Sequence, residues 1–355
     1  MGLNRETYLK IIRREGPGLV PCRVIINYRV WEEYKERLEK IKKESPHVDI
    51  SIAQDPERAQ ESYKRDPWGC LWHYPGDYLD GQVVEHPLVD WEKFKEYDAP
   101  SPLNYAHWEK LKEEVERAGK EERVAVAGVE HGFLFLKLTY LRGFENFMLD
   151  VAEEKKELYK LRDLITEYWC RVVKKYIELG AELINFGDDL GFQDRLPISP
   201  PVWRKLIKPA YQKIFSLCRE NKREVYLHTD GYIVDIIPDL IEIGVTILNP
   251  QDLVNGLPNL ERLAKGKTSI DLDIDRQKIT VFGKPEEVKA HILNCIETLG
   301  SGTGGLTLTY DVYPRTPPEN IEAVIRAMEK HYNRWGEKKG DIEISIPLRL
   351  PHGQG

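Results

Sequence analysis

Apolar positions along the chain switch between two periods, and the switch repeats. Short β-branched runs read as strands at Val20 to Asn27, Val124 to Val129, Glu182 to Phe186, Glu224 to Leu227, Val245 to Leu248, Thr268 to Leu272 and Leu306 to Thr309. Helix-period stretches lie at 4–15, from about Trp31 to Lys43, at 107–119, around Tyr140 to Met148, at roughly 153–179, from Pro200 to Asn221, at 285–299 and at 318–335. Strand–helix repetition over roughly 250 residues predicts α/β architecture, a single (β/α)8 TIM barrel rather than two open sheets. Seven strands are legible in this way. The eighth is expected either within residues 47–105 or after residue 250. Residues 47–105 are aromatic and proline-rich without long periodicity, and read as an excursion covering one mouth of the barrel. The predicted organisation is one barrel over 1–340, with an N-terminal helical and irregular extension, and a C-terminal tail over 341–355.

Composition narrows the class without choosing the chemistry. Of 355 residues, 41% are apolar and 31% charged, so a large core is affordable. A net charge of −7 gives no support for a nucleic-acid or anionic membrane surface. The five cysteines, Cys22, Cys70, Cys170, Cys218 and Cys295, form no CxxC pair, which fits a reducing compartment. No apolar run approaches 18 residues, and the first residues have no apolar signal core, so a cytoplasmic protein is expected. Gly300-Ser-Gly-Thr-Gly-Gly305 leads into a strand and not a helix, which makes it a helix-to-strand loop at the barrel bottom rather than a phosphate cradle.

Candidate chemistry gathers where the strands end. The exits carry Glu130 with His131, Asp188 with Asp189, His228 with Asp230, Asn249, Asp271 with Asp273, and Tyr310 with Asp311. In a (β/α)8 fold that face is the catalytic rim. His228-Thr-Asp-Gly231 closes a buried strand and opens a helical pattern. The plain alternative makes His228 a core histidine and Asp230 a helix cap. So many carboxylates at one mouth need a cation or a basic substrate to neutralise them, and zinc accepts both imidazole nitrogen and carboxylate oxygen. The competing source of charge is Arg142, Arg195 or Arg276. The ligand candidates are His228, Asp230, Glu130, Asp188 and Asp189.

At His228-Thr-Asp-Gly, Thr316-Pro-Pro-Glu-Asn320, Tyr140-Leu-Arg-Gly-Phe-Glu-Asn-Phe-Met148, Gly187-Asp-Asp-Leu-Gly191 and Phe282-Gly-Lys-Pro-Glu-Glu-Val288, the sequence resembles the uroporphyrinogen decarboxylase superfamily over roughly residues 5–336. The resemblance implies the same barrel and one of two chemistries. The decarboxylases carry an early Arg-Gln-Ala-Gly-Arg-Tyr motif for the tetrapyrrole carboxylates. The comparable strand here, Pro21-Cys-Arg-Val-Ile-Ile-Asn-Tyr-Arg29, lacks it. The other branch exchanges methyl groups with a corrinoid on a partner protein. Its coenzyme M-specific members bind zinc through His-x-Cys-Gly and a second cysteine. Asp230 replaces the first cysteine here, and Tyr310 stands where the second is expected. Without thiolates zinc is a stronger Lewis acid, suited to polarising oxygen.

The expectation is therefore a corrinoid-dependent, O-demethylating methyltransferase. His228, Asp230 and Tyr310 would be catalytic, and Trp68, Trp72, Asn249 and Asp271 would bind a small methylated substrate. Zinc and a corrinoid (cobalamin) are the expected cofactors, a corrinoid-binding protein is the expected partner, and a homodimer is left open. The alternatives are a decarboxylase, or a metal-free barrel holding a methylated or cationic ligand among the tryptophans. In that case Trp68, Trp72 and Trp91 would form a cage, unless they are ordinary core aromatics beneath a long loop.

Overall fold

Runs of buried β-branched and leucine side chains pair into one all-parallel sheet, as expected of strands covered on both faces. The structure, a computed structural model, describes residues 3–55 and 58–336. Its sheet strands are β1 (Cys22–Asn27), β2 (Val48–Ala53), β6 (Val126–His131), β7 (Leu183–Gly187), β8 (Glu224–Thr229), β9 (Ile247–Pro250), β10 (Ser269–Asp273) and β11 (Leu306–Val312). Between β2 and β6 a small antiparallel sheet holds β3 (Ser62–Arg65), β4 (Leu71–Tyr74) and β5 (Gln82–Glu85). The large sheet runs β2–β1–β11–β10–β9–β8–β7–β6, the sequential winding of a (β/α)8 barrel. Its seam falls between β2 and β6, the two strands that the excursion separates in sequence. Amphipathic helices such as Lys156–Glu178, Pro285–Leu299 and Pro318–His331 bury their apolar faces around the sheet.

The eighth strand is β2, at the opening of the irregular stretch. Its sequence, Val48-Asp-Ile-Ser-Ile-Ala53, alternates in period two. Asp49 lies in register with Arg23, so both face the barrel lumen. A strand with a polar lumen face looks like a loop from composition alone. Two predicted helices are each split. Pro209 interrupts the 200–221 stretch into Pro200–Leu206 and Lys208–Glu220, since its ring cannot donate a helical amide. The charged helix becomes Tyr28–Glu33 and Lys35–Glu44. The predicted tail, 341–355, lies outside the described residues.

The two ends of the barrel are closed by different means. The helix Arg5–Ile12, capped by Asn4 Oδ1 on the Thr7 amide at 2.9 Å, buries Leu9 and Ile12 against Val124, Leu183, Tyr226 and Ile247 at the strand starts. The Gly305 amide donates to Ile11 O at 2.8 Å, which places the glycine-rich loop at this bottom end. The excursion leans on the opposite end. Asn27 Nδ2 donates to Tyr78 O at 3.3 Å, and Tyr313 Oη to Asp80 Oδ2 at 3.4 Å. Among the described residues no helix is long and apolar enough to cross a membrane.

Candidate metal centre

Strand register builds the site as a row. His131 lies opposite Gly187, Gly187 opposite His228, and His228 opposite Asn249. Because Gly187 has no side chain, the two imidazoles approach across it, with ring centroids 5.6 Å apart. A Cβ at Gly187 would stand only 2.8 Å from His131 Cδ2. His131 Nε2 donates to Asp189 Oδ1 at 3.1 Å. The ligand atoms of His131, Asp189 and His228 all lie within 4.8 Å of one another.

Each member of this trio is held from outside. Asn249 Nδ2 donates to Asp271 O, so its Oδ1 must accept, and His228 Nδ1 donates to it at 2.6 Å. That hydrogen-bond network assigns the His228 proton to Nδ1 and leaves the Nε2 lone pair free to accept. Asp189 also accepts the Asp230 amide at 3.2 Å. Burial raises the Asp189 carboxyl, but the His131 hydrogen bond, the charges of His131 and His228, and the Asp230 amide outweigh it and leave it at about 2. Burial likewise lowers His131, and the hydrogen bond and charge of Asp189, then Asp188 and Asp230, reverse this and lift it to about 9. Its side chain is 48% exposed, so solvent screening trims the shift.

Asp230 turns the other way. Arg276 Nη2 donates to both its oxygens, at 2.9 and 3.0 Å, while His228 Nε2 stands 3.6 Å off. Arg276 also pairs with Asp273 at 3.0 Å and approaches Asp311 at 3.6 Å. Burial pushes the Asp273 carboxyl well above its ordinary value; Arg276 opposes this, and Asp311, Asp230 and Asp252 add to it. His228, Asp230 and Asp273 form a second trio of ligand type, but one already neutralised by a guanidinium. The glycine after Asp230 is required by its turn. Gly231 has φ +84°, and a Cβ there would meet Gly191 O at 2.0 Å.

Several expected site residues are placed elsewhere. Glu130 pairs with the buried Lys137 at 2.8 Å. Asp188 is wholly buried and accepts the Phe135 and Leu136 amides, at 2.5 and 2.8 Å, and the Tyr211 hydroxyl at 2.6 Å. Burial raises it to about 6 against those donors. It therefore caps the helix Phe135–Arg142 from outside, and only Asp189 of the pair reaches the centre. Tyr310 faces away from the lumen, because Thr307 and Thr309, on the opposite face of the strand by alternation, bond Asp271 and Arg23 within it. Its hydroxyl, beside Thr280 and Thr316, is pushed by burial up to about 12. Asp271 lies one layer below the mouth, accepting from Tyr226 Oη at 2.8 Å and Thr307 Oγ1 at 2.5 Å. Asn249 positions His228 and is buried.

The tryptophans pack as cover. Trp68 is 2% exposed beneath Lys137, and Trp72 stands behind Tyr140 with Nε1 on Asp66 at 2.9 Å. Of the proposed arginines, Arg142 serves Asp150 at 2.6 Å, Arg195 approaches its neighbour Asp194 at 3.4 Å, and Arg276 holds the rim acids. His131 was legible at its strand exit but had no partner until the register supplied Gly187.

Residues 70–331 match the family described as Uroporphyrinogen decarboxylase (URO-D). The chain belongs to this family. Among its curated relatives, uroporphyrinogen decarboxylase of Synechococcus sp. (strain CC9605) is 26% identical over 188 residues, covering 52% of this chain and 51% of that protein. Methylcobamide:CoM methyltransferase MtaA of Methanosarcina barkeri is 23% identical over 170 residues, 48% of each chain. These matches span about half the length of the two relatives. A solved methyltransferase from Methanosarcina mazei superposes with TM-score 0.67 at 18% identity, covering 93% of this chain and 99% of that one, and shares the barrel fold. This URO-D family member thus shares the barrel fold, and the candidate ligand atoms of its His131–Asp189–His228 cluster are nitrogen and oxygen.

Proposed function

We propose that this URO-D family member is a methyltransferase that moves a methyl group between a small methoxylated substrate and a corrinoid carried by a partner protein. The observation that carries the reading is the His131–Asp189–His228 cluster at the strand exits, whose donor set and spacing fit zinc. Its similarity to a methylcobamide:CoM methyltransferase supports methyl transfer, and the absence of a cysteine from the trio argues for an oxygen rather than a thiol substrate. Zinc bound there supplies a Lewis acid for the ether oxygen. The protein's own part is positional. Asn249 fixes the His228 tautomer, the Asp230 amide fixes Asp189, and Gly187 lets His131 close the set. Arg276 keeps Asp230, Asp273 and Asp311 compensated, so that the rest of the rim does not compete for the ion.

The other two readings are less well supported. A polycarboxylate tetrapyrrole would meet Asp189, Asp230, Asp273 and Asp311, while Arg23 is committed to Thr309, Arg29 to Asp77 and Arg276 to the acids. An aromatic cage is short of free faces, because Lys137 lies 5.2 Å over Trp68 and Arg142 4.1 Å over Trp91. The test is zinc content measured beside methyl transfer from methoxybenzenes to free cob(I)alamin. Wild type should exceed both His228→Ala and Asp189→Ala by one zinc per chain, with methyl transfer lost in both. Full activity of wild type after exhaustive chelation would refute the zinc assignment.

A further inference from the structure

A third group of ligand-type side chains lies behind the rim, in the helical layer. The short helix Asp252–Asn255 follows β9, and His291 and Cys295 stand four residues apart on one face of Pro285–Leu299. His291 Nε2 is 2.6 Å from Asp252 Oδ2 and 3.6 Å from Cys295 Sγ, and the three ligand atoms lie within 4.8 Å of one another. The Asp252 side chain is 1% exposed and that of His291 9%, and Cys295 is fully buried. Among the described residues no lysine or arginine pairs with Asp252, and its ionic partner is His291. A buried carboxylate sharing one imidazole nitrogen with a thiol, and lacking a fixed cation, is a donor set in search of an ion.

We propose that Asp252, His291 and Cys295 form a second divalent-cation site, of mixed oxygen, nitrogen and sulfur donors, suited to zinc. The chemistry differs from that of the rim, where sulfur is absent, and the proposal stands independently of the methyltransferase reading. Binding would release the thiol proton to solvent and place the imidazole proton on Nδ1, leaving thiolate, neutral imidazole and carboxylate on the ion. The role is structural. The site ties the outer helix Pro285–Leu299 to the exit of β9, one residue beyond Gln251, whose Oε1 accepts the Gly231 amide at 2.9 Å. The ion would therefore brace the turn that carries Asp230.

Cobalt(II) distinguishes the two sites, because only a thiolate ligand gives an intense near-ultraviolet sulfur-to-metal charge-transfer band. Apo full-length chain titrated anaerobically with cobalt(II) should develop that band. His228→Ala should retain it, and Cys295→Ser should lose it together with one bound equivalent. The serine variant should melt with wild type when both are metal-free, and wild type alone should gain the increment of thermal stability that this ion supplies. The proposal is overturned if saturating cobalt(II) gives no charge-transfer band in wild type, or if the band survives in Cys295→Ser. In either case the trio is a hydrogen-bonded tether and nothing more.

Discussion

Gly187→Ala adds one methyl group at the point where two imidazoles face each other, and its effect follows from the contact distance. The new Cβ would stand 2.8 Å from His131 Cδ2. Ordinary carbon–carbon contact is about 3.5–4.0 Å, so the ring must retreat by about 0.7 Å or more. Metal–ligand distances tolerate only about 0.2 Å, so His131 leaves the ligand set. Disturbing the support of one ligand already costs about 10–100-fold in affinity, and displacing the ligand itself should cost at least about 100-fold, near 2.8 kcal/mol. Stability should respond far less. His131 is half exposed at the rim and can swing toward solvent, so the melt should move by no more than the equivalent of about 1 kcal/mol. Zinc titration calorimetry in a Cys295→Ser background reports the rim centre by itself, with a thermal melt of the metal-free protein alongside. Unchanged affinity would refute the row geometry, and an affinity loss matched by a collapsed melt would assign Gly187 a packing role instead.

Two further outcomes follow from the charges. In chelator, the His131–Asp189 pair stabilises most between about pH 4 and 6.5. His131, lifted from 6.5 to about 9, contributes fully below 6.5 and loses its contribution as pH rises through 9. Asp189, lowered from 3.8 to about 2, loses its contribution as pH falls from 3.8 through 2. His131→Gln should flatten the alkaline limb in melts at pH 6 and pH 9, and an unaltered limb would show that the pair contributes nothing. Asp188→Ala should cost about 3–5 kcal/mol in urea denaturation, because it strands the Leu134, Phe135 and Leu136 amides and the Tyr211 hydroxyl; a loss below about 1 kcal/mol would remove Asp188 from its capping role.

Hydrophobic periodicity determined the fold. Strand and helix periods need only local side-chain spacing, and seven of the eight strands, the bottom loop and the polar exits were readable from it. His228, Asp189 and the turn glycine of His-Thr-Asp-Gly belong to that legible set. Tertiary structure alone decided which of the rim residues meet. Glu130 and His131 are neighbours in sequence, yet one pairs with Lys137 and the other crosses Gly187 to His228. Asp188 and Asp189 point to a helix terminus and to the centre respectively. Tyr310 and Asp311 divide between the helical layer and the mouth. Successive residues of a strand face opposite sides, so an error of one position reverses a side chain's assignment. Strand register and the reach of Arg276 are long-range properties, set by how distant segments pack and carried by no single stretch of sequence.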